Sequence, residues 1–434
     1  MKDIVVVGAG PAGASVALLL AQRGMNVTLI EKAHDFERVF RGEGLMPAGL
    51  KALHDMGLKD TFEQIASRRL TSWDFYVGAQ RRMRVIEPES NGLATQIMDQ
   101  GALLRAIVEK GKGLPNFEFY SGWQVGELLR DGESVVGVRA QETSIREGRE
   151  QEKQGQKREW RADCVLACDG RYSRLRKLAK LELEQADAQF DVLWFKLPAP
   201  DFLAPEETPF MACLQPDNQF ALYPSWDGNL QIGWIVEKPS ISISNDPGQK
   251  KSLNLAALKE RDWCELFAQA LPKKLALHFR QNKANLIGPI YLDVQVGCAG
   301  QWSLPGLLLI GDAAHPMAPN RAQGINMALR DAIVVANHFS ELNDSKLNNP
   351  KTDDSPISLS TLQAIQAERE PEIRAIQKMQ LAEWKKVKFI STPGLPYAGF
   401  KAIATTFGRF KFAQNIWLHE QQGLRKGTRP VTLK

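Results

Sequence analysis

The sequence predicts a mixed α/β (α+β) chain: a parallel sheet flanked by helices, interleaved with a second domain built on a β-sheet, and followed by C-terminal helices. Three observations predict it. The first 31 residues read as strand, glycine-rich turn, helix and strand; from about Phe190 to Val236 the texture changes to long aromatic-rich strands; and GLLLIGDAAH (306–315) returns to a short buried strand ending in a loop. At 434 residues the chain is too long for one simple core, so two domains are expected.

Each element has a local reason. Ile4 to Val7 is an apolar run ending at a glycine, as in a strand covered on both faces. Pro11 stands where a first helical residue would, Ala14, Ala17, Leu18 and Ala21 recur at helical spacing, and Gly24 stops the helix. Val27 to Ile30 is the second strand, so the unit is β-α-β with a right-handed crossover. Strands are expected at Ser72 to Val77, Phe117 to Tyr120, Val135 to Arg139 and Cys164 to Ala167, with a helix from about Gly101 to Lys110. The charged stretch 145–160 reads as a solvated hairpin tip. VLWFKL (192–197), QFALYPSW (219–226) and LQIGWIV (230–236) form the second sheet, and a helical stretch follows near Leu253 to Ala276. A helix opens at about Gly324, and Leu359 to Phe389 is a long helix. The first domain is therefore 1–73, 98–180 and 291–342, the second 74–97 and 181–290, with a polar linker at 343–358 and a helical region at 359–434.

Composition is that of an ordinary globular protein, 44% hydrophobic and 24% charged, which excludes a disordered or fibrous chain. No apolar run is long enough to span a bilayer and the N-terminus is already a strand, so a cytoplasmic location is expected. Cys164, Cys168, Cys213, Cys264 and Cys298 are scattered and odd in number, which argues against disulfides and against a metal site. The net charge of +5 is unevenly placed: residues 380–434 carry +8, the rest −3.

GAGPAG (Gly8, Gly10, Pro11, Ala12, Gly13) joins a strand to a helix, so backbone amides at a helix N-terminus face a pyrophosphate with no side chain in the way. Glu31, followed by Lys32, ends the second strand, where a carboxylate accepts ribose hydroxyls and repels a 2'-phosphate. The bound adenosine is therefore expected to be that of FAD or NAD, and this loop does not choose between them.

LLLIGDAAHPMAPNRAQGINMALRDA (307–332), CDGRYSRLR (168–176) and FRGEGLMPAGLKALHDMGL (40–58), together with GAGPAG and in family order, resemble the class A flavoprotein monooxygenases, the family of p-hydroxybenzoate hydroxylase and the ubiquinone-biosynthesis hydroxylases. The match runs from residue 1 to about 337, its middle in texture only. The resemblance implies a Rossmann-like FAD-binding domain in which Asp312 accepts hydrogen bonds from ribityl hydroxyls. The helix opening at Gln323, Gly324, Ile325 and Asn326 presents amides to the flavin edge where negative charge develops. It implies that Arg41 contacts the pyrophosphate or ribose, that Gln100 lies near the flavin, and that the Asp169–Gly170 turn serves both FAD and a nicotinamide donor, with Arg174 and Arg176 steering its phosphates. The plainer readings are a helix cap for Asp312, a surface position for Gln100 and a tight turn for Asp169. One departure stands out: Arg321 and Ala322 occupy a loop where the family often has a glycine pair.

The activity implied is hydroxylation of an aromatic, quinol-like or polycyclic small molecule, with FAD reduced by NADH or NADPH and then oxidised by O2 through a flavin hydroperoxide. The cavity is expected between the sheet domain and the flavin, lined by some of Trp194, Phe220, Tyr223 and Trp234, with Pro316, Met317 and Pro319 on the flavin side. No general base stands out; His315, Tyr223 and Arg321 are the catalytic candidates.

Other readings of the fold are a flavin halogenase, though Trp-x-Trp-x-Ile-Pro is absent; a reductase of the geranylgeranyl reductase type, which shares the early Gly42–Glu43; and a flavin-free lipid carrier of the GDP-dissociation-inhibitor type. No nucleic-acid motif accompanies the basic tail. That tail interleaves Trp384, Phe389, Phe400, Phe407, Phe410, Phe412 and Trp417 with lysines and arginines. A helical layer with a solvated basic face is the favoured reading, and peripheral contact with anionic membrane is the alternative. Oligomeric state is left open.

Overall fold

The computed structural model describes residues 2–37, 42–146, 149–203, 206–216, 218–238, 261–348 and 357–434. Its central sheet has the order Ser303–Leu304, Leu307–Leu309, Cys164–Ala167, Asp3–Val7, Asn26–Glu31, Phe117–Ser121. Every neighbouring pair is parallel except the first. Ile4 to Val7 and Cys164 to Ala167 are buried throughout because helices cover one face of the parallel sheet and a three-stranded antiparallel sheet, Trp123–Asp131, Ser134–Arg146 and Arg149–Arg161, packs on the other. The helix Pro11–Gln22 begins at its proline, and Gln100–Lys112 is capped by the Asp99 carboxylate, which accepts from the Ala102 amide at 3.0 Å.

A second sheet has seven strands, in the order Ile287–Leu292, Phe190–Pro198, Asn229–Glu237, Asn218–Pro224, Pro209–Gln215, Ser72–Val77, Gln80–Ile86. Only the pairing of Pro209–Gln215 with Ser72–Val77 is parallel. Because side chains alternate, each strand has two distinct sets. Leu193, Phe195, Phe220, Ile232 and Trp234 pack on the helices Trp263–Ala270 and Lys273–Gln281, forming a core of their own. Val192, Trp194, Tyr223, Gly233 and Ile235 face the other way, toward the parallel-sheet half of the molecule.

Three expectations shift. The charged stretch extends a hairpin whose strands run Ser134–Arg146 and Arg149–Arg161, well beyond a short tip. The helical stretch near Leu253 to Ala276 is two helices, separated at Leu271–Pro272 because proline cannot continue a hydrogen-bonded turn; residues 253–260 lie outside the described residues. The helix Gln323–Asn348 runs six residues into the expected linker, since the first breaker in the sequence is Pro350.

The C-terminal helices are Leu359–Ile390, Leu395–Phe407, Lys411–Glu420 and Gln422–Lys426. A buried charge network fastens the first of them to the parallel-sheet half. Arg369 donates to Asp331 at 2.7 Å and to Glu372, Arg330 donates to Glu372 at 2.8 Å, and Asp331 also accepts from the Gly311 amide and pairs with His315. His315 and Arg369 together hold the Asp331 carboxyl down at about 2 against the cost of burial. All five cysteines are buried and free, and burial raises the thiols of Cys264 and Cys298 to about 11.

Candidate active site

One cavity of about 900 Å3 lies between the two sheets. At one end it reaches the glycine turn. Gly8 has φ +100°, and a Cβ there would meet the Cys168 carbonyl at 2.5 Å; a Cβ on Gly13 would meet the Gly8 carbonyl at 1.8 Å. Those two glycines let helix and strands close together. Gly10 has another role: a Cβ there would meet no atom within 4 Å, so its bare edge faces the cavity. Pro11 and Ala12 line the same end.

Glu31 also lines this end, with its carboxylate held by the Ala9 amide at 2.7 Å and the Ala33 amide at 3.0 Å. The fixed carboxylate keeps lone pairs for hydroxyl donors. Lys32, Gln100, Gly170 and Arg174 are further lining residues, while Arg41 lies outside the described residues. Asp169 lines the cavity too, but its oxygens accept from Ser173 Oγ and from the Arg174 and Leu175 amides, the geometry of a helix cap.

Asp312 sits where Leu307–Leu309 gives way to a loop, and its carboxylate faces the cavity with no hydrogen-bond donor among the described residues. Burial raises it, opposed by Arg171 and His315. Gly324 and Ile325, in the first turn of Gln323–Asn348, line the adjoining wall.

The turn that leads into that helix, Asn320–Ala322, is unusual. Arg321 has φ +61° and Ala322 φ +50°, the left-handed region that glycine enters freely and other residues enter at a cost of about 1–2 kcal/mol. Arg321 is held there by its neighbours: its guanidinium pairs with Glu383 at 2.5 Å and lies over the rings of Trp73 at 4.3 Å and Trp417 at 5.0 Å. It lines the cavity as a clamped cation.

The opposite wall is the seven-stranded sheet. Trp194, Tyr223, Phe210 and Tyr291 line it, with Met317 and Pro319 from the loop after Asp312. Gly233 makes room for Trp194, since a Cβ there would meet the indole at 2.9 Å. Glu43 lines the cavity beside this wall. Its carboxylate accepts from Ser225 Oγ at 2.8 Å and lies 3.6 Å from Lys196 Nζ, which in turn donates to Asp227 at 2.6 Å. Burial raises Glu43 to about 7, and the same cause lifts Tyr223 well above its ordinary value.

Several candidates lie elsewhere. Phe220 and Trp234 stack on each other, centroids 5.7 Å apart, on the far face of the sheet, because they fall on the opposite parity to the cavity-lining Tyr223 and Gly233. His315 is buried and tied to Asp331 at 2.7 Å. Gln323 donates to the Arg321 and Leu424 carbonyls, and Asn326 bridges the Met46 amide and the Ala322 carbonyl, so both brace the loop instead of lining it. The Pro316 carbonyl accepts from Gln377 and Gly297 away from the cavity. Arg176 is buried, donating to the Ala313 and Arg171 carbonyls, which removes it from phosphate steering. Glu43, Phe210 and Tyr291 were missed as site residues. A carboxylate inside the apolar run GEGLMPAGL was the available signal for Glu43; strand parity was the signal for the aromatics.

A narrow, open glycine edge, a fixed ribose-type carboxylate and an unsatisfied Asp312 fit a dinucleotide extended from Glu31 to Gly324. The FAD binding domain family matches residues 1–345, and the chain belongs to that family, as a class A FAD-dependent monooxygenase. Among its relatives is a 6-methylpretetramide 4-monooxygenase of Streptomyces rimosus, 31% identical over 343 residues, 77% of this chain and 74% of the relative. Squalene epoxidase 1 of Arabidopsis thaliana is 24% identical over 79% of this chain and 60% of its own length. The fold is shared with p-nitrophenol 4-monooxygenase PnpA of Pseudomonas putida DLL-E4, with TM-score 0.75 and 18% identity over 99% of this chain and 100% of that one. Among the described residues no helix is long and apolar enough to cross a membrane.

Proposed function

We propose that this FAD-dependent monooxygenase takes electrons from NADH or NADPH and one oxygen atom from O2 to hydroxylate a planar, electron-rich small molecule, aromatic or polycyclic and carrying a phenolic or quinol-like hydroxyl. The observation that carries this reading is the continuity of one cavity from the dinucleotide turn to a wall of indole and phenol rings, with Glu43 among its lining residues. The relative named for 6-methylpretetramide favours the same substrate class.

When bound, FAD supplies the two-electron chemistry and the activation of dioxygen. The chain's own residues do the rest. Glu31 accepts the ribose hydroxyls, and the amides of Gly10 and the first helical turn receive the pyrophosphate. Asp312 accepts from the ribityl chain, and the Gly324 and Ile325 amides, at a helix N-terminus, stabilise negative charge on the ring edge. Trp194, Phe210 and Tyr291 exclude water and stack on a flat substrate. Glu43 takes the hydroxyl proton at its carboxylate, raising electron density on the ring to be attacked, while Lys196 and Asp227 hold a charged path beside it. Tyr223, kept protonated by burial, serves as a donor to the substrate. Arg174, which lines the cavity, meets the nicotinamide phosphates.

Stopped-flow reduction with NADH and NADPH, followed by mixing with labelled dioxygen and a panel of phenols and quinols, tests the proposal. A transient absorbing species between the reduced and reoxidised spectra, with label in the product, is expected. Single-step reoxidation with no label in any product would overturn it.

A further inference from the structure

The C-terminal helices present a surface that the cavity chemistry leaves unused. Helices Leu395–Phe407 and Lys411–Glu420 bury no residue fully. They lie across the hairpin Ser72–Val77/Gln80–Ile86. Gly408 packs against that hairpin, where a Cβ would meet the Arg82 carbonyl at 2.4 Å, and the Trp417 ring sits on Trp73 and Phe75 at 5.7 and 5.3 Å. With this inner side satisfied, the outer side carries the apolar groups. Leu395 is 88% exposed, Ile403 61%, Ile416 58%, and Phe410 and Phe412 54% each, with Phe407 beside them. The three phenylalanine rings lie 6.0 to 6.3 Å apart, a cluster of large aromatics open to solvent.

The charge around this cluster is mainly basic, although Lys386 pairs with Glu420 at 2.8 Å and Lys388 with Glu237 at 3.2 Å. From Trp384 to His419 there are six basic residues, Lys385, Lys386, Lys388, Lys401, Arg409 and Lys411, and no acidic one. Beside the phenylalanines is a notch of about 350 Å3 lined by Arg81, Arg82, Met83, Arg84, Arg409 and Gln414. Arg81 and Arg84 are committed to Asp74, at 2.9 and 2.8 Å. Arg82 differs: its Nε is buried with no hydrogen-bond partner. Arg82 and Arg409 line the notch and neither makes an ion pair among the described residues, so their charges can serve an anionic oxygen there.

We infer that this face docks on an anionic phospholipid bilayer, with the Phe407, Phe410 and Phe412 rings and Leu395 seated among the upper acyl chains and a lipid phosphate received in the Arg82–Arg409 notch. Aromatic knobs beside a mainly basic rim match an interface whose outer layer is negative and whose next layer is apolar. A second copy of the chain is a poorer fit, because pairing this face with itself would set the same basic rims against each other. On the inner side Trp417 packs against Trp73, a wall of the cavity, so docking would place the catalytic chamber one side chain from the bilayer.

Co-sedimentation of the flavin-loaded full chain with phosphatidylglycerol–phosphatidylcholine vesicles, against phosphatidylcholine alone, tests the inference. Binding only to the anionic vesicles, weakened by salt, is expected. Phe410→Ser and Arg409→Gln, both at exposed positions, should each weaken it about tenfold with the flavin spectrum unchanged, and Arg82→Gln should act like Arg409→Gln. Equal binding of all variants, no preference for anionic vesicles, or a concentration-dependent dimer abolished by Phe410→Ser would overturn it. Loss of flavin is a separate outcome that bears on the cavity and not on this surface.

Discussion

The two ends of the cavity are built by different means. At the glycine-turn end, one β-α-β unit and the residues just after it supply the main features: Gly8, Gly10 and Gly13 shape a turn, and Glu31 is fixed by the Ala9 and Ala33 amides. At the aromatic end, no two lining side chains need be near in sequence. Phe210, Tyr223, Trp194 and Tyr291 meet because four strands align, and Glu43 meets Lys196 and Ser225 across more than a hundred and fifty residues. A local site is set by backbone conformation, whereas an assembled one depends on register, so one misplaced residue of pairing would exchange its whole lining for the opposite face.

That contrast can be broken at its strongest point. Asp331→Ala leaves His315 buried without a carboxylate and Arg369 with Glu372 alone, and it detaches the strand end carrying Asp312 from the C-terminal helix. A loss of about 3–5 kcal/mol in denaturant unfolding, together with flavin loss, is expected. Retention of wild-type stability would show that the dinucleotide end stands without that brace.

The two faces of the assembled wall separate next. Trp234→Ala should cost about 3–5 kcal/mol of stability and leave KM nearly unchanged, because its ring is in the core against Trp263 and Phe267. Trp194→Ala should do the reverse, raising KM at a stability cost of about 1 kcal/mol. Similar effects from both would erase the distinction between the faces.

Glu43 sharpens the comparison through pH. Its carboxyl is raised from 4.5 to about 7, so the fold favours the neutral form; the associated stability, about 3 kcal/mol, is full below 4.5 and is lost as pH climbs through 7. Catalysis runs the other way, since a proton acceptor must be ionised. In the wild type kcat/KM should rise through about pH 7, and Glu43→Gln should flatten that limb and lower kcat/KM by about a hundredfold or more while gaining stability at alkaline pH. The smallest effect is at the helix opening: Ala322→Gly should add about 1 kcal/mol by relieving a left-handed alanine, read as a rise in melting temperature.

Much of the fold was legible because its signals are local. Pro11 opens its helix, Ser72–Val77 is a strand with the expected ends, and Leu359–Ile390 agrees with the reading to one residue. Short strands such as Gly44–Leu45 and Gln96–Met98 were not, since two or three residues carry no periodicity. At the site, the turn residues, Glu31, Asp312 and Gly324 came together as a group because a helix opening is written in adjacent residues. Phe220 and Trp234 were grouped with Tyr223 on aromatic character alone, yet Phe220 and Tyr223 are three apart in one strand and so face opposite sides. His315 directly follows GDAA, but the partner that turns it inward, Asp331, is set by tertiary packing that no motif spells out.

The bare α-carbon of Gly233 beneath the Trp194 indole has a practical consequence. A single methyl there would have to displace the indole, which lines the chamber, so this position should gauge how broad a molecule the enzyme accepts. Gly233→Ala should exclude the widest ring systems first and leave single-ring compounds as the remaining substrates.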